Sequence, residues 1–450
     1  MTLMEKIAGA GIVGCGGAGF PTHVKLNCKV EYFIINAAEC EPLLRTDRYL
    51  MIHRAKEIVT AVGQVAKLIK AQKIYIALKE TYTREIAALQ EAIDQAQSPV
   101  QLYRMKNFYP AGDEQIMVCD ITGRTVPPSG IPLDVGAVVS NVGTMYAVYE
   151  ATKGKPLIHK YITVTGEVQE PVIVYAPVGT PISLCLEQAG VTLQDYVVVV
   201  GGPLMGKQYT KEQAQSQVVT KTTSGLIVVP KEIPLVQQKE TPLEVILRRA
   251  KTSCIQCSSC TEMCPRYLTG HPLQPHKIMR KMAYGESIEE MLGDEDLKQA
   301  LTCSECGVCE TYACPMGLQP RQVNIFVKSQ YAKAGIRYQK PTEPLSQRPE
   351  REYRRIPSKR IANRLGVGKY YDYQIDTLRT VTPSRVEIPL RQHIGAPSTP
   401  VVQVGDLVQE GQLIAAAPEK GLGANIHASI AGVVQAVGDR IVIEGTQTAS

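Results

Sequence analysis

The stretch Tyr32-Phe33-Ile34-Ile35-Asn36-Ala37-Ala38-Glu39-Cys40-Glu41-Pro42 decides how the first third of the chain is read. Four large apolar residues in a row predict a short buried strand, and a polar loop ending in proline follows at once. In open α/β sheets, ligands bind at this carboxyl end of a strand. Downstream, Arg48 to Lys70 carries apolar residues at helical spacing, Lys73 to Leu78 reads as the next strand, and Thr83 to Ala96 as another helix. The alternation predicts an α/β domain with a largely parallel sheet over residues 1–157.

Upstream lies Gly14-Cys15-Gly16-Gly17-Ala18-Gly19-Phe20-Pro21, with four glycines in six residues. Such density permits positive φ and lets backbone N–H groups approach an anion. Lys25 follows and offers a point charge to a phosphate. The loop is neither a G-x-G-x-x-G turn directly after a strand nor a Walker loop, and tight turns alone account for many such runs. Two further segments resemble helix starts beside a ligand: Tyr109-Pro110-Ala111-Gly112-Asp113-Glu114-Gln115 and Asn141-Val142-Gly143-Thr144.

The texture then changes. Residues 158–232 carry short β runs (Tyr161–Gly166, Val172–Tyr175, Asp195–Val200, Gly225–Val229) and one helix-like segment, Ser183 to Ala189. Residues 240–335 read as helical and cysteine-rich. Residues 336–383, rich in Arg, Pro and Tyr with little periodicity, look like a solvated basic linker. Residues 384–446 return to short strands with Gly-Asp turns, an all-β module.

The strongest motif is Cys254-x2-Cys257-x2-Cys260-x3-Cys264-Pro265, followed by Cys303-x2-Cys306-x2-Cys309-x4-Cys314-Pro315. Three thiolates on a tight loop with a fourth before proline form the ligand set of a cubane iron–sulfur cluster, and in two-cluster ferredoxins the fourth cysteine serves the other cluster. That rule pairs Cys254, Cys257, Cys260 and Cys314 on one cluster, and Cys303, Cys306, Cys309 and Cys264 on the second. Zinc sites would prefer two C-x2-C pairs per metal. The other five cysteines (Cys15, Cys28, Cys40, Cys119, Cys185) sit singly in apolar or Gly-rich surroundings and read as small buried hydrophobes. His271, His276 and His427 are isolated and read as surface or satisfied core residues.

Composition narrows the function class. The 450 residues carry 49 Lys+Arg against 43 Asp+Glu, a surplus of +6, and the stretch from Arg337 to Arg364 holds nine basic and three acidic residues, the same surplus. The remainder is neutral, which excludes a generally basic nucleic-acid binder. A hydrophobic content of 44% supplies several cores, and four Phe with no Trp make them aliphatic. No run of about 18 apolar residues and no basic-then-apolar leader occurs, so the expectation is a cytoplasmic protein whose thirteen cysteines serve as ligands or buried thiols.

Together the Gly-rich loop, the Asn36–Pro42 segment, the Asp113–Glu114 segment and Asn141 resemble the flavin- and NADH-binding subunit of respiratory complex I, and still more the RnfC family of electron-transfer subunits. The resemblance implies that Gly14, Gly16, Gly17, Gly19, Lys25, Asn36, Glu39, Asp113, Glu114 and Asn141 contact FMN, with the lysine on its phosphate. It implies that Phe20 stacks on NADH and that Glu41 helps place it. The complex I pattern has an acidic residue where Ala38 stands here. Residues 158–232 resemble an SLBB β-grasp module, and 384–446 a barrel-sandwich hybrid whose hairpin Gly423–Ala428 lacks the lysine of a swinging cofactor. The helical unit is expected to be a dicluster, ferredoxin-like domain. This domain order is that of the propanediol-utilisation cobalamin reductases of bacterial microcompartments.

The implied cofactors are two [4Fe–4S] clusters and FMN, with NADH as substrate. The clusters would add about −4 and a flavin phosphate up to about −2, bringing the loaded chain near neutrality. The favoured reading is an NADH-oxidising flavin and iron–sulfur reductase whose acceptor is cobalamin, with the cofactors carrying the chemistry and no side chain acting as acid or base. No D-x-H-x-x-G cobalamin fingerprint is present, so that encounter would be transient. Partners implied by the resemblance are a redox protein, a microcompartment shell protein or a cobalamin adenosyltransferase. Two other readings stand beside it: an RnfC-like subunit exchanging electrons with ferredoxin or flavodoxin, and an iron–sulfur wiring module without NADH activity.

Overall fold

The computed structural model describes residues 1–283, 288–341 and 343–445. Thr446, the expected last residue of the C-terminal module, lies outside the described residues.

The first sheet contains β1 (Tyr32–Asn36), β2 (Lys73–Lys79), β3 (Gln101–Met105) and β4 (Ala137–Asn141), in the order β3-β2-β1-β4 and all parallel. Phe33 and Ile35 bury against the helix Ala55–Leu68, whereas Tyr32 and Ile34 bury with Ile116 and Met117 of the helix Glu114–Thr122. A strand covered on both faces has no polar face to show, which explains the unbroken apolar run. The chain leaves β1 toward β2 on one side and reaches β4 on the other. The ends of β1 and β4 therefore flank a switch point, with Asn36 in register with Asn141.

The single helix expected over Arg48–Lys70 is two helices, Thr46–His53 and Ala55–Leu68, broken at Arg54 (φ −133°, ψ 27°). Arg54 meets Glu57 at 3.5 Å and its guanidinium reaches the Tyr161 hydroxyl in the next sheet at 3.5 Å. Periodicity runs through this break because only a tertiary contact marks it.

The second sheet takes β5 (His159–Gly166), β6 (Val172–Pro177), β7 (Val197–Val200), β8 (Lys207–Thr210), β9 (Gly225–Val229) and β10 (Leu378–Thr380) in the order β10-β6-β5-β9-β7-β8. It is mixed: β5–β9 and β6–β10 run parallel and its other pairs antiparallel. The helix here spans Ile182–Glu187.

Strand β10 corrects part of the linker reading, because it belongs to a segment expected to be solvated. Arg351, Ile356, Ile361 and Tyr370 of that segment are buried, and Arg351 and Arg355 both pair with Asp120, at 2.7 and 3.1 Å. The basic residues are thus spent on internal ion pairs as well as on solvent.

Residues after Pro242 form the helices Leu243–Ser253, Pro275–Ala283 and Pro320–Lys333, which share a core of Ile246, Ile278, Leu297, Val323, Val327 and Tyr331. The C-terminal strands β11 (Arg385–Pro389), β12 (Thr399–Pro400), β13 (Leu407–Val408), β14 (Leu413–Ala416), β15 (Ile426–His427), β16 (Gly432–Val437) and β17 (Arg440–Gly445) form two antiparallel sheets, β11-β17-β16-β13 and β12-β14-β15, over one aliphatic core. Among the described residues, no helix is long and apolar enough to cross a membrane.

Candidate functional site

A cavity of about 1530 Å³ opens at the switch point between β1 and β4. Its wall takes Gly16 and Gly17 from the Gly-rich loop, Asn36, Glu39 and Glu41 from the segment after β1, Asp113, and Asn141 at the end of β4. Ser304 and Cys306, from the second cysteine run, complete the same wall. The volume exceeds the roughly 300–1,000 Å³ of a usual single-ligand pocket.

The backbone of this wall is shaped for a ligand. Gly16, Gly17 and Ala18 are exposed, and their N–H groups have no partner among the described residues. A Cβ on Gly16 would lie 2.5 Å from the Asn141 amide nitrogen, so the loop approaches that residue as only glycine can. Free N–H groups on a loop without side chains suit a phosphate. Cys15 N–H is tied to the Thr144 hydroxyl at 2.9 Å, which pins the loop to the start of the helix Val142–Thr152.

The two asparagines act as braces. Asn36 donates to the Gly112 carbonyl at 2.8 Å and accepts from Ala38 N–H. Asn141 caps its helix, accepting from Gly143 and Thr144, and donates to Asp47 at 2.7 Å. Glu39 sits in left-handed backbone (φ 33°) and accepts the N–H groups of Asp47 and Arg48 at 3.1 and 3.4 Å, at the start of the helix Thr46–His53. Burial, then the neighbouring Asp47, pushes its carboxyl up to about 7; burial holds Asp47 at about 6. Glu41 turns toward the second sheet and accepts from Leu204 and Met205 N–H at 2.8 and 3.1 Å, with burial raising it to about 7. Asp113 caps the helix Glu114–Thr122 and pairs with Arg266 at 2.8 Å, two residues beyond Cys264.

Five of the expected contacts lie off this wall. Gly14 and Phe20 close the loop through a 3.0 Å bond from Gly14 N–H to the Phe20 carbonyl. Gly19 packs on Thr222 and on the backbone of Gln392 and His393. Lys25 and Glu114 pair with each other at 3.1 Å. Cys40 does line the cavity, but burial pushes its thiol up to about 12 and keeps it protonated.

The eight cysteines divide into two groups. The Cys260 thiol is pushed up to about 12 by burial and then by Cys254, Cys314 and Cys257, whereas Cys309 is raised by burial and, after Glu310, by Cys303, Cys306 and Cys264. Those neighbours are the two sets that the crossed ferredoxin rule pairs. The ligand loops repeat one backbone path: Gln256 and Ser258 (φ 55° and 61°) match Glu305 and Gly307 (φ 59° and 83°). Donors already point at sulfur, from Gln256 to Cys254 (3.1 Å), Leu318 N–H to Cys314 (3.3 Å) and Glu305 N–H to Cys303 (3.4 Å). Among the described residues no three His, Cys, Asp or Glu side chains converge as a single-ion site would. A cubane spreads its four thiolates further apart than the ~3.8 Å of a tetrahedral zinc site.

Three family models match the chain. Residues 7–150 match the Nuo51 FMN-binding domain, 253–319 a 4Fe-4S dicluster domain, and 369–450 the RnfC barrel sandwich hybrid domain. The protein named cobalamin reductase PduS in Salmonella typhimurium is 39% identical over 442 residues, 98% of this chain and 95% of its own length. The chain belongs to the PduS cobalamin reductase family. The family's Citrobacter freundii protein is likewise 39% identical, over 98% of this chain and 96% of its own. A component of the Na(+)-translocating ferredoxin:NAD(+) oxidoreductase complex of Acetobacterium woodii is 35% identical over 59% of this chain and 58% of its own length.

Several residues of this PduS-family site escape sequence reasoning. Tyr109 donates its hydroxyl to the Cys306 carbonyl at 2.8 Å and joins the cavity to the cysteine loop. Asp47 lines the cavity without belonging to any motif, and Ser304 lines it as a spacer within the second cysteine run. Tyr109 and Ser304 stand inside segments that the sequence singles out; Asp47 does not. Lys221 is also unheralded: it is fully buried and donates to the carbonyls of Gly11 and Asn425 at 2.7 and 2.6 Å, beneath the Gly-rich loop.

Proposed function

We propose that the chain is an NADH-oxidising flavin and iron–sulfur reductase that passes electrons, one at a time, to a cobalamin acceptor. The observation that carries this reading is the shared wall: the loop suited to a flavin phosphate and the Cys306 ligand loop face one cavity. When bound, FMN supplies the conversion of two-electron to one-electron transfer and the clusters supply the wire.

The protein's share is position and charge. Gly16 and Gly17 would receive the flavin phosphate, while Asn36, Glu39, Asp113 and Asn141 fix the walls around it. Gly14, Gly19, Lys25 and Glu114 would act from behind the wall, by holding the loop's shape. Glu41 and Phe20 are assigned to NADH, Glu41 from the cavity rim and Phe20 from the loop base. The eight cysteines would hold two [4Fe–4S] clusters in the crossed arrangement. The set containing Cys306 would take electrons from the cavity, and the set containing the exposed Cys257 would release them.

The domain assignment that goes with this reading is 1–157 for FMN and NADH, 158–232 as an SLBB β-grasp, 240–335 as the dicluster unit, 336–383 as its basic connection and 384–446 as the barrel-sandwich hybrid. The same reading puts the protein in the cytoplasm, inside or on a bacterial microcompartment, with a redox protein, a shell protein or a cobalamin adenosyltransferase as partner; likeness to the PduS proteins is what supports it. The match to the RnfC hybrid domain favours one second reading, in which the acceptor is a ferredoxin or flavodoxin.

The test is anaerobic. Protein reconstituted with iron, sulfide and FMN should show a flavin spectrum bleached by NADH and should then reduce cob(III)alamin. Turnover with ferredoxin but not cob(III)alamin would select the second reading. Absence of both flavin and NADH oxidation would leave only an iron–sulfur wire.

A further inference from the structure

The second cysteine run is one residue wider than the first between its third and fourth cysteines, and the structure takes up that residue as a π-helical turn, Cys309–Ala313. The turn is closed by a 3.0 Å bond from Cys314 N–H to the Cys309 carbonyl. Such turns are rare and gather at functional sites. This one carries Glu310 inward to 5% exposure, with its carboxylate 2.6 Å from the guanidinium of Arg321, itself 8% exposed.

Arg321 lies against the ligand loop. Its Nη1 is 3.2 Å from where a Cβ would stand on Gly307, between Cys306 and Cys309, and it donates to the Leu204 carbonyl at 3.1 Å. Lys239, Glu41 and Tyr109 also face the pair, as do the thiols of Cys306 and Cys309. Between its own third and fourth cysteines the first run's only charged residue is Glu262, which meets Arg354 at 3.3 Å with both side chains 40% exposed or more; its more buried pair, Arg266–Asp113, lies past Cys264.

We propose that the buried Arg321–Glu310 pair poises the reduction potential of the cavity-facing cluster, each charge checking the other; this rests on the two-cluster reading above. Potential follows local charge, hydrogen bonding and exposure. Reduction adds one electron to the cluster, supplied from NADH through the flavin, and makes or breaks no bond to either side chain. A cation beside the cluster favours the added electron and a carboxylate opposes it, and at this burial neither is screened by salt. Paired, the two charges offset each other. Removing one leaves the other, with opposite consequences.

The experiment is a redox titration followed by electron paramagnetic resonance on reconstituted full-length protein. Cys257→Ala, which spares the cavity-facing set, identifies that set's signal. Arg321→Gln should lower the midpoint of this signal and Glu310→Gln should raise it. Each shift should be about tenfold in the reduced-to-oxidised ratio, about 59 mV for one electron. The exposed cluster's midpoint should stay put, and Arg321→Lys, which keeps the charge, should stay near wild type. Single variants that shift the same way, or not at all with clusters intact, overturn the proposal. If Arg321→Gln does not fold, Glu310→Gln against Arg321→Lys decides: equal midpoints overturn it. Wild-type protein that takes up no iron sinks the two-cluster reading itself, a result distinguishable from unshifted midpoints.

Discussion

The two cysteine runs share a backbone and differ in everything around it. Both wrap their first three thiols through left-handed residues at the same two positions, Gln256 and Ser258 in one and Glu305 and Gly307 in the other. Yet Cys257 is exposed beside Ile255, which is 60% exposed, whereas Cys306 faces the cavity and sits under the Tyr109 hydroxyl. One cysteine loop therefore meets solvent and the other meets the cavity, where electrons would enter on the function proposed above. The ligand spacing determines that a cluster can form; the packing of three other segments determines what each cluster is for.

Four measurements would break or sharpen that contrast. The largest effect belongs to the ligands. Cys306→Ala should abolish NADH-driven reduction of both clusters, whereas Cys257→Ala should lose only the outer cluster and leave flavin and inner cluster reducible. Equal loss of inner-cluster reduction in both would erase the distinction.

Next comes pH, which acts on the cavity side. Glu39 and Glu41, at about 7, are raised above the usual carboxyl value by burial. A raised carboxyl contributes stability that is complete below about pH 4 and lost as pH rises through about 7. Buried lysines and histidines act in the opposite sense, so the difference between proteins is the readout. Relative to wild type, Glu39→Gln apoprotein should gain stability from pH 5 to pH 8, by up to about 3 kcal/mol. A gap in melting temperature that stays constant would refute the assignment.

The two smaller effects exchange the runs' residues. Gly307→Ser should cost about 1–3 kcal/mol in denaturant unfolding, from its positive φ and from crowding Arg321. Ser258→Gly, the reverse swap, relieves its own positive φ by about 1–2 kcal/mol. It gives up about 0.4–1 kcal/mol of unfolded-state restriction and the 3.0 Å bond to Glu262, so the net change should stay within about 1 kcal/mol. Equal and opposite values would mean that the two environments are equivalent.

Much of the molecule is legible in sequence because the signals are local. The apolar run into Asn36 marks β1, Asp113 and Asn141 mark helix starts, and the spacing of the cysteines marks their grouping. What stays hidden depends on distant partners. Arg351 and Arg355 read as solvated because nothing nearby in sequence announces Asp120. Lys25 and Glu114, expected as flavin contacts, also pair with each other across 89 residues, which nothing local announces. Arg54 breaks a helix whose periodicity continues unbroken, since its reason is Tyr161, 107 residues away. Glu310 reads as a spacer in the motif, and its role emerges only with Arg321 arriving from the following helix.

The C-terminal hairpin has a further consequence, one of timing. Asn425 bonds to Gly9 across 416 residues, and Ile394 N–H reaches the Gly19 carbonyl from the same module. At roughly 5–20 residues per second of synthesis, the Gly-rich loop waits on the order of 20–80 s for its rear support. The back of the nucleotide pocket is thus made long after the loop that it supports. A chain cut short before residue 390 would carry every glycine of the loop and still lack the backing that shapes it. Cofactor retention would then report that this module has been made.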